Sequence, residues 1–454
     1  MANVAISRSA VAARSRGGVG TLLTPLQLRF LLSLGAAGAA LVALKSFVLD
    51  PLTGHFGGPF EDFAAYIGAA RSMAHGGSPY AQFSSATPVM SGFTYPPFGA
   101  VLVRPLAVLG DHAALSVWLA ISLACTVAAA VIVVRTALPA RWPRLQLAVL
   151  AALAFAPAAY NYWHGQINGV ILLLLSVAYW GYVRDRRLTV GIALGVAAGI
   201  KVAPVVLLLL LLRRGWWRSA AAMLATVAAT VVTAIVALGP ATTATFVSTV
   251  LPVLSRANGW LYDQSLTGLV SRVANQSVLV VHPVALTVSA ACTLAGAAVL
   301  AAALLTAQRS PRSDAERGAE FGMGVTAMLL AGSIAWFPHF TALVIPLFAT
   351  AGLVASRGWR TERRLLAASV TALIVFGVVA PFGIAAMTMP GLIALSASPL
   401  WWPFLQLCSL PCLSALWLFV ELCRSLRVAP GVKKGRAART ARPPSRKEEA
   451  VYAS

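Results

Sequence analysis

Glu61 and Asp62 stand side by side in the stretch Gly57 to Pro97, GGPFEDFAAYIGAARSMAHGGSPYAQFSSATPVMSGFTYPP. Only 11% of the 454 residues are charged, so a carboxylate pair leading a patterned segment is a candidate for general-base work. Such a group takes the proton from a hydroxyl as that oxygen attacks. Phe63, Tyr66, Ala70 and Met73 recur at spacings of three and four, which predicts a helix lying on a surface rather than crossing a bilayer. Asp62 at its start also suits a helix cap and the helix dipole. The same residue therefore reads either as base or as cap.

Other polar groups sit where apolar segments end. His164 in Trp163-His164-Gly165-Gln166 and His339 in Trp336-Phe337-Pro338-His339 fall at outer span ends, as interfacial hydrogen-bonding groups or as parts of one polar site. Gln166 and Asn168 either donate to a sugar or satisfy backbone groups at a span end. Lys201 lies within an apolar run, where a lysine costs about 2.5 to 3.5 kcal/mol on insertion scales. Beside a helix break it suits an anionic group such as a lipid phosphate. Arg256 and Arg272 in the second outer region could do likewise, or be solvated. His55 and His75 flank the acidic pair, but no cluster has metal-ligand spacing, and no Walker A or GxGxxG element is present. Cys125, Cys292, Cys408, Cys412 and Cys423 form no CxxC pair and read as small buried hydrophobes.

The elements that must position these groups belong to a membrane protein. Hydrophobic residues make up 59% of the chain, in continuous apolar stretches of bilayer-spanning length, which predicts helices rather than a barrel. With the N-terminus inside, 29 of the 35 basic residues fall on the inner side, leaving Lys45, Arg71, Arg104, Lys201, Arg256 and Arg272. That asymmetry sets the orientation and explains a net charge of +22 without nucleic acid. The expected fold is an all-α polytopic transmembrane bundle of ten to twelve spans, with interfacial helices in the first outer loop around Pro96, Pro97, Arg104 and Pro105. LTVGIALGVAAGIKVAPVVLLLLLL lies between two arginine-rich inner loops and predicts a hairpin broken at Lys201 and Pro204. The expected division is a disordered cytoplasmic tail at 1–28, a membrane domain at 29–423 and a basic cytoplasmic tail at 424–454. No internal repeat argues for inverted halves.

Sorted by topology, Asp50, Glu61, Asp62, Asp111 and Asp263 fall outside and no acid falls in the middle of a span. Ion-driven transport usually needs carboxylates at that depth, so an enzyme working on the outer face is the better reading. The alternatives are a flippase or transporter for lipid-linked sugars, and a noncatalytic envelope scaffold in which Asp62 and Lys201 are dispensable.

The ordered set Asp62-Phe63, Tyr66, Ala69-Ala70, Gly77 to Tyr80, Tyr95-Pro96-Pro97, Gly165 to Asn168, Lys201 with Pro204, Gln264-Ser265-Leu266 and Trp336 to Pro346 resembles glycosyltransferase family 87 of the GT-C superfamily. That family includes polyprenyl-phosphate-mannose-dependent α-(1→2)-mannosyltransferases of actinobacteria. The resemblance implies a multi-pass enzyme of the cytoplasmic membrane, both termini inside, with its site on the outer face. It implies an inverting transfer of a hexose, mannose first, from a polyprenyl phosphate to a glycan or glycolipid acceptor, with membrane lipids as partners and no metal or cofactor. Asp62 matches the base, with Glu61 its runner-up. Lys201, His339, Arg256 and Arg272 are the candidates for the donor phosphate, and Tyr95, His164, Gln166, Asn168, Asp263 and Gln264 for sugar or acceptor. Two positions depart from the family pattern. Asp263-Gln264-Ser265 stands where relatives often read Asn-Gln-Ser, adding an outer acid, and Pro338 precedes a single His339 where relatives often carry paired histidines.

Overall fold

A computed structural model describes residues 25–50, 60–84, 92–275, 284–307, 313–379 and 395–427, with Thr53 and Gly391 as isolated positions. The expected tails lie outside these residues, except that Pro25 already begins the first helix and Arg427 ends the last. His55 also falls outside them.

The described residues are helical without a strand, and the only ladder contact is an isolated bridge between Asp263 and Trp336. The helices are α1 Pro25–Leu44, α2 Glu61–Ala74, α3 Pro97–Val103, α4 Asp111–Ala137, α5 Arg144–Leu153, α6 Ala156–His164 and α7 Asn168–Val183. After them come α8 Arg187–Ile200, α9 Leu207–Arg213, α10 Trp217–Leu238, α11 Pro240–Thr245, α12 Leu251–Leu254 and α13 Leu266–Val273. The last are α14 Leu286–Thr306, α15 Asp314–Ala331, α16 Val344–Arg357, α17 Arg363–Ile374, α18 Trp401–Leu407 and α19 Leu410–Arg427.

The segments expected to cross are helical over most of their described length, but not all are long enough to cross alone. Among the described residues five helices are long and apolar enough, or seven when the pairs α5–α6 and α18–α19, bent by 47° and 43°, each count as one span. The others are shorter apolar helices, such as Asn168–Val183 and Arg187–Ile200, below the roughly 20 residues that a hydrocarbon core requires. The predicted break is present: Lys201 leaves α8 in an extended conformation (φ −145°, ψ 122°), and Ala203–Val206 forms a 3-10 turn before α9. The interfacial helix also forms, as α3 followed by the 3-10 turn Arg104–Val108.

Close packing of α8 on α10 fixes where that break lies. Gly191, Gly195 and Gly199 make one ridge at spacings of four. A Cβ on them would come within 2.3 Å of the Ser219 carbonyl oxygen, 2.5 Å of Thr226 Cβ and 2.4 Å of Thr230 Oγ1, respectively. Bare backbone lets the two helices approach as small-residue interfaces do in lipid. The end of α8, and with it Lys201, is thereby held in place.

The far ends of the helices are joined by ion pairs. Arg214 Nη1 donates to Glu320 Oε2 at 3.1 Å, Tyr182 O–H donates to Glu320 Oε1 at 3.0 Å, and Arg214 lies against the rings of Tyr182 and Trp216. Arg357 donates to Glu316, Glu362 and Ser425, tying α15, α16 and α19.

Candidate active site

The surface helix forms over Glu61–Ala74, burying Phe63, Tyr66, Ile67, Ala69, Ala70 and Met73 on one face. Its cap position is Phe60, in a left-handed conformation (φ 44°), and no side chain caps the helix. The capping role for Asp62 is therefore not what this fold uses. Asp62 instead faces a cavity of about 260 Å³, whose polar lining includes Tyr95, Gln166, Lys201, Trp336 and His339 and whose apolar wall includes Phe246, Leu251, Leu254 and Ile334.

Gly165 brings the next piece to Asp62. It ends α6 at φ 66°, a conformation that suits a residue without a Cβ, and a Cβ there would lie 2.7 Å from Phe63 Cβ. The Trp118 indole N–H donates to its carbonyl at 2.7 Å, and the Phe60 N–H donates to Trp163 at 3.3 Å. These contacts press the Gly165–Asn168 corner onto the start of α2.

Four side chains then form one directed chain. Lys201 Nζ donates to Asn168 Oδ1 at 2.8 Å, Asn168 Nδ2 donates to Gln166 Oε1, and Gln166 Nε2 donates to Asp62 Oδ2 at 2.8 Å. An ammonium can only donate and an ionised carboxylate can only accept, so the two ends dictate both amide orientations. The Asn168 backbone N–H is held by Asn161 Oδ1 at 3.1 Å, and Asn161 Nδ2 donates to Ser122 Oγ at 3.1 Å. Lys201 also lies 5.7 Å from the centroid of the Tyr95 ring. Tyr95 O–H accepts from Tyr66 O–H at 2.9 Å, and Tyr66 oxygen accepts from the Ile167 N–H at 3.3 Å.

Burial pushes the Asp62 carboxyl above its ordinary range, against the hydrogen bond from Gln166 and the charges of His164 and Lys201, which pull it down. The result is a carboxylate made more basic by its seat yet still tied to a cation. His339 accepts the Trp336 N–H on Nδ1 at 3.2 Å, which leaves the neutral ring's proton on Nε2.

The remaining predicted residues fall outside this lining. Glu61 is exposed and pairs with His164 Nδ1 at 2.8 Å, one residue from Asp62 but turned away from the cavity wall. Asn168 stands behind the lining as the link between Gln166 and Lys201. Arg256 is exposed. Arg272 is fully buried: Nε donates to Ser409 Oγ at 2.7 Å and Nη1 to the carbonyls of Asp263 and Leu261 at 2.6 and 3.2 Å. It closes a loop from beneath instead of facing a ligand. Asp263 is buried as well, its Oδ1 accepting the N–H groups of Ser265 and Ala335, each at 2.9 Å. Burial raises its carboxyl to about 6, against those two bonds and Arg272. The Gln264 N–H donates to Ala335 at 2.8 Å, in the same seam. The added acid at position 263 is thus a stitch between two loops, and neither it nor Gln264 lines the cavity. Among the described residues no group of three or more His, Cys, Asp or Glu side chains is placed to hold a metal ion.

Trp336 was legible only as part of a motif, yet its indole N–H is buried without a partner at the cavity wall. Ser255, Ser333 and the apolar wall carried no signal in the sequence, because their approach is made by tertiary folding alone.

The profile of glycosyltransferase family 87 matches residues 93–333, more than half of the chain. The chain belongs to glycosyltransferase family 87. The family 87 match takes in Tyr95, Gln166, Asn168 and Lys201; Asp62 precedes it and His339 follows it. The chain is also similar to a polyprenol-phosphate-mannose-dependent α-(1-2)-phosphatidylinositol pentamannoside mannosyltransferase of Mycobacterium tuberculosis (strain CDC 1551 / Oshkosh). The two are 30% identical over 156 residues, which are 33% of this chain and 35% of the relative. The family 87 chain thus spans about a third of the length of that curated relative in the match. Among solved structures, the crystal structure of ArnT from Cupriavidus metallidurans bound to undecaprenyl phosphate aligns with 89% of this chain and 78% of its own. Its TM-score is 0.42 and its sequence identity 17%.

Proposed function

We propose that this chain is an inverting transferase that moves a hexose, mannose first, from a polyprenyl-phosphate donor to a hydroxyl of a glycan or glycolipid on the outer face of the membrane. The observation that carries the reading is a cavity holding one carboxylate, Asp62, with Lys201 and His339 in the same lining. Membership of family 87 and the similarity to a mannosyltransferase favour the donor class.

Asp62 accepts the proton of the acceptor hydroxyl as that oxygen forms its bond to the anomeric carbon. The bond from that carbon to the donor phosphate breaks on the opposite face, and its electron pair leaves with the phosphate. Lys201 and the His339 N–H offset the charge that grows there. Ionic and hydrogen-bonding groups within a largely apolar wall act at a lower dielectric than water provides, which strengthens each contact.

The deciding experiment incubates wild type and Asp62→Asn in lipid with radiolabelled polyprenyl-phosphate-mannose and a crude glycolipid extract, following label in new products. Transfer by wild type alone is the expected result. Equal transfer by both removes Asp62 from the mechanism. Donor binding by both with transfer by neither, and passage of intact donor across the bilayer, would instead support the transporter reading.

A further inference from the structure

A second cavity, of about 350 Å³, lies at the other end of α4 from Asp62. Arg71 of α2 is ion-paired with Asp111 at the first residue of α4, whereas Arg135 of this cavity stands 24 positions further along the same helix. At 1.5 Å per residue that is about 36 Å, comparable to the distance between the two polar faces of a bilayer.

The lining of this cavity carries four arginines, Arg135, Arg141, Arg144 and Arg184, against one acid, Asp314. Two of the cations already have structural work. Arg144 donates to the carbonyls of Leu138 and Pro139, closing the loop between α4 and α5, and Arg184 Nη1 donates to Asp314 Oδ2 at 3.0 Å. Arg135 and Arg141 are exposed, and neither side chain has a partner among the described residues. Tyr179 also lines the cavity; it is 1% exposed, and its hydroxyl makes no hydrogen bond among the described residues. A phenol lining a cavity can offer its O–H to a ligand there, and cations gathered around a cavity attract an anion.

We propose that this cavity binds the phosphodiester headgroup of an anionic phospholipid, with Arg135 and Arg141 on the phosphate oxygens and the Tyr179 O–H as a further donor. Guanidinium groups match phosphate oxygens with paired hydrogen bonds. Gly352 of α16 meets the carbonyl of Ala137 so closely that a Cβ would lie 2.5 Å from its oxygen, bringing the two helices together on small residues. A headgroup-depth position favours a lipid over a free phosphate ion, because the acyl chains can remain in the hydrocarbon beside the exposed apolar surface of the bundle.

The test uses full-length protein in neutral detergent, titrated with short-chain phosphatidylglycerol, short-chain phosphatidylcholine or inorganic phosphate, with binding read by native mass spectrometry. The expected result is saturable phosphatidylglycerol binding, at least tenfold weaker in Arg135→Gln/Arg141→Gln and several-fold weaker in Tyr179→Phe, with phosphatidylcholine not retained. Donor binding at the Asp62 cavity, unchanged in the double variant, shows that the variant is folded. Equal phosphatidylglycerol binding by wild type and the double variant overturns the site. Inorganic phosphate binding as tightly as phosphatidylglycerol overturns the lipid assignment and makes this a free-phosphate site.

Discussion

As the proposed base, Asp62 would be worth little in water and is worth more where it sits. Its carboxyl lies above the ordinary range because burial outweighs the bond from Gln166 and the charge of Lys201. A base acts when ionised, so transfer at low acceptor concentration should fall as pH drops through that raised value. Lys201 pulls the carboxyl down, so Lys201→Met should move this acid limb to higher pH as well as slow transfer. A limb that stays in place in a pH–rate profile would break the proposed electrostatic link. Asn168→Ala removes one acceptor and one donor from the chain between these two groups. Loss of a buried hydrogen bond costs about 1 to 3 kcal/mol, so a fall in kcat of tenfold or more is expected, with a weaker donor KM. Asn168→Asp keeps the acceptor for Lys201 but cannot donate to Gln166, so donor KM should recover while kcat stays low. Of these residues, Asp62, Lys201, Gln166 and His339 were legible as types out of place in an apolar chain. That Asn168 stands behind the lining, and that Arg272 and Asp263 fasten loops, was not, because which side of a loop a side chain takes is decided by packing partners far away in sequence.

The helices were more readable than their roles. Apolar periodicity and proline placement located α2, the short α3 and the break at Lys201. They did not give the bends within α5–α6 and α18–α19, since a bent span and a straight one share a hydropathy profile. The ridge of Gly191, Gly195 and Gly199 was in view as a spacing of four but had no meaning until α10 was seen against it. Gly195→Val should therefore act on both stability and site. Its Cβ would meet Thr226 Cβ at 2.5 Å and the Met223 carbonyl oxygen at 2.7 Å. Overpacking of this kind costs about 1 to 3 kcal/mol. A lowered thermal midpoint together with weaker donor binding is the expected pair of results, and a normal midpoint would show that α8 and α10 can separate freely.

At the scale of the molecule, the bundle concentrates its ion pairs at helix ends and keeps one of them inside. Arg214 and Glu320 are 4% and 2% exposed in their side chains, so removing one partner strands a charge. Glu320→Leu should cost about 3 to 5 kcal/mol, and Arg214→Met/Glu320→Leu should recover most of it. Thermal unfolding in detergent would measure both, and a double variant no better than the single would show that the pair itself stabilises the bundle. The positive-inside asymmetry had located the arginine-rich loops, but which cations find partners depends on the folded bundle. This is why Arg214 and Arg357 are spent on structure while Arg135 and Arg141 are not.

The seam at Asp263 bears on how the first cavity can be entered. One carboxylate oxygen holds the backbone N–H groups of Ser265 and of Ala335, the latter 72 residues from Asp263 in sequence, and Gln264 adds a third bond across the same line. The stretch carrying Ser333, Ile334, Trp336 and His339 is therefore fastened to its neighbour like a fixed panel. On the proposed reading an acceptor enters through a doorway elsewhere in the wall, and loosening the stitch with Asp263→Ala should admit water beside it, read as free sugar released from the donor at the expense of labelled product.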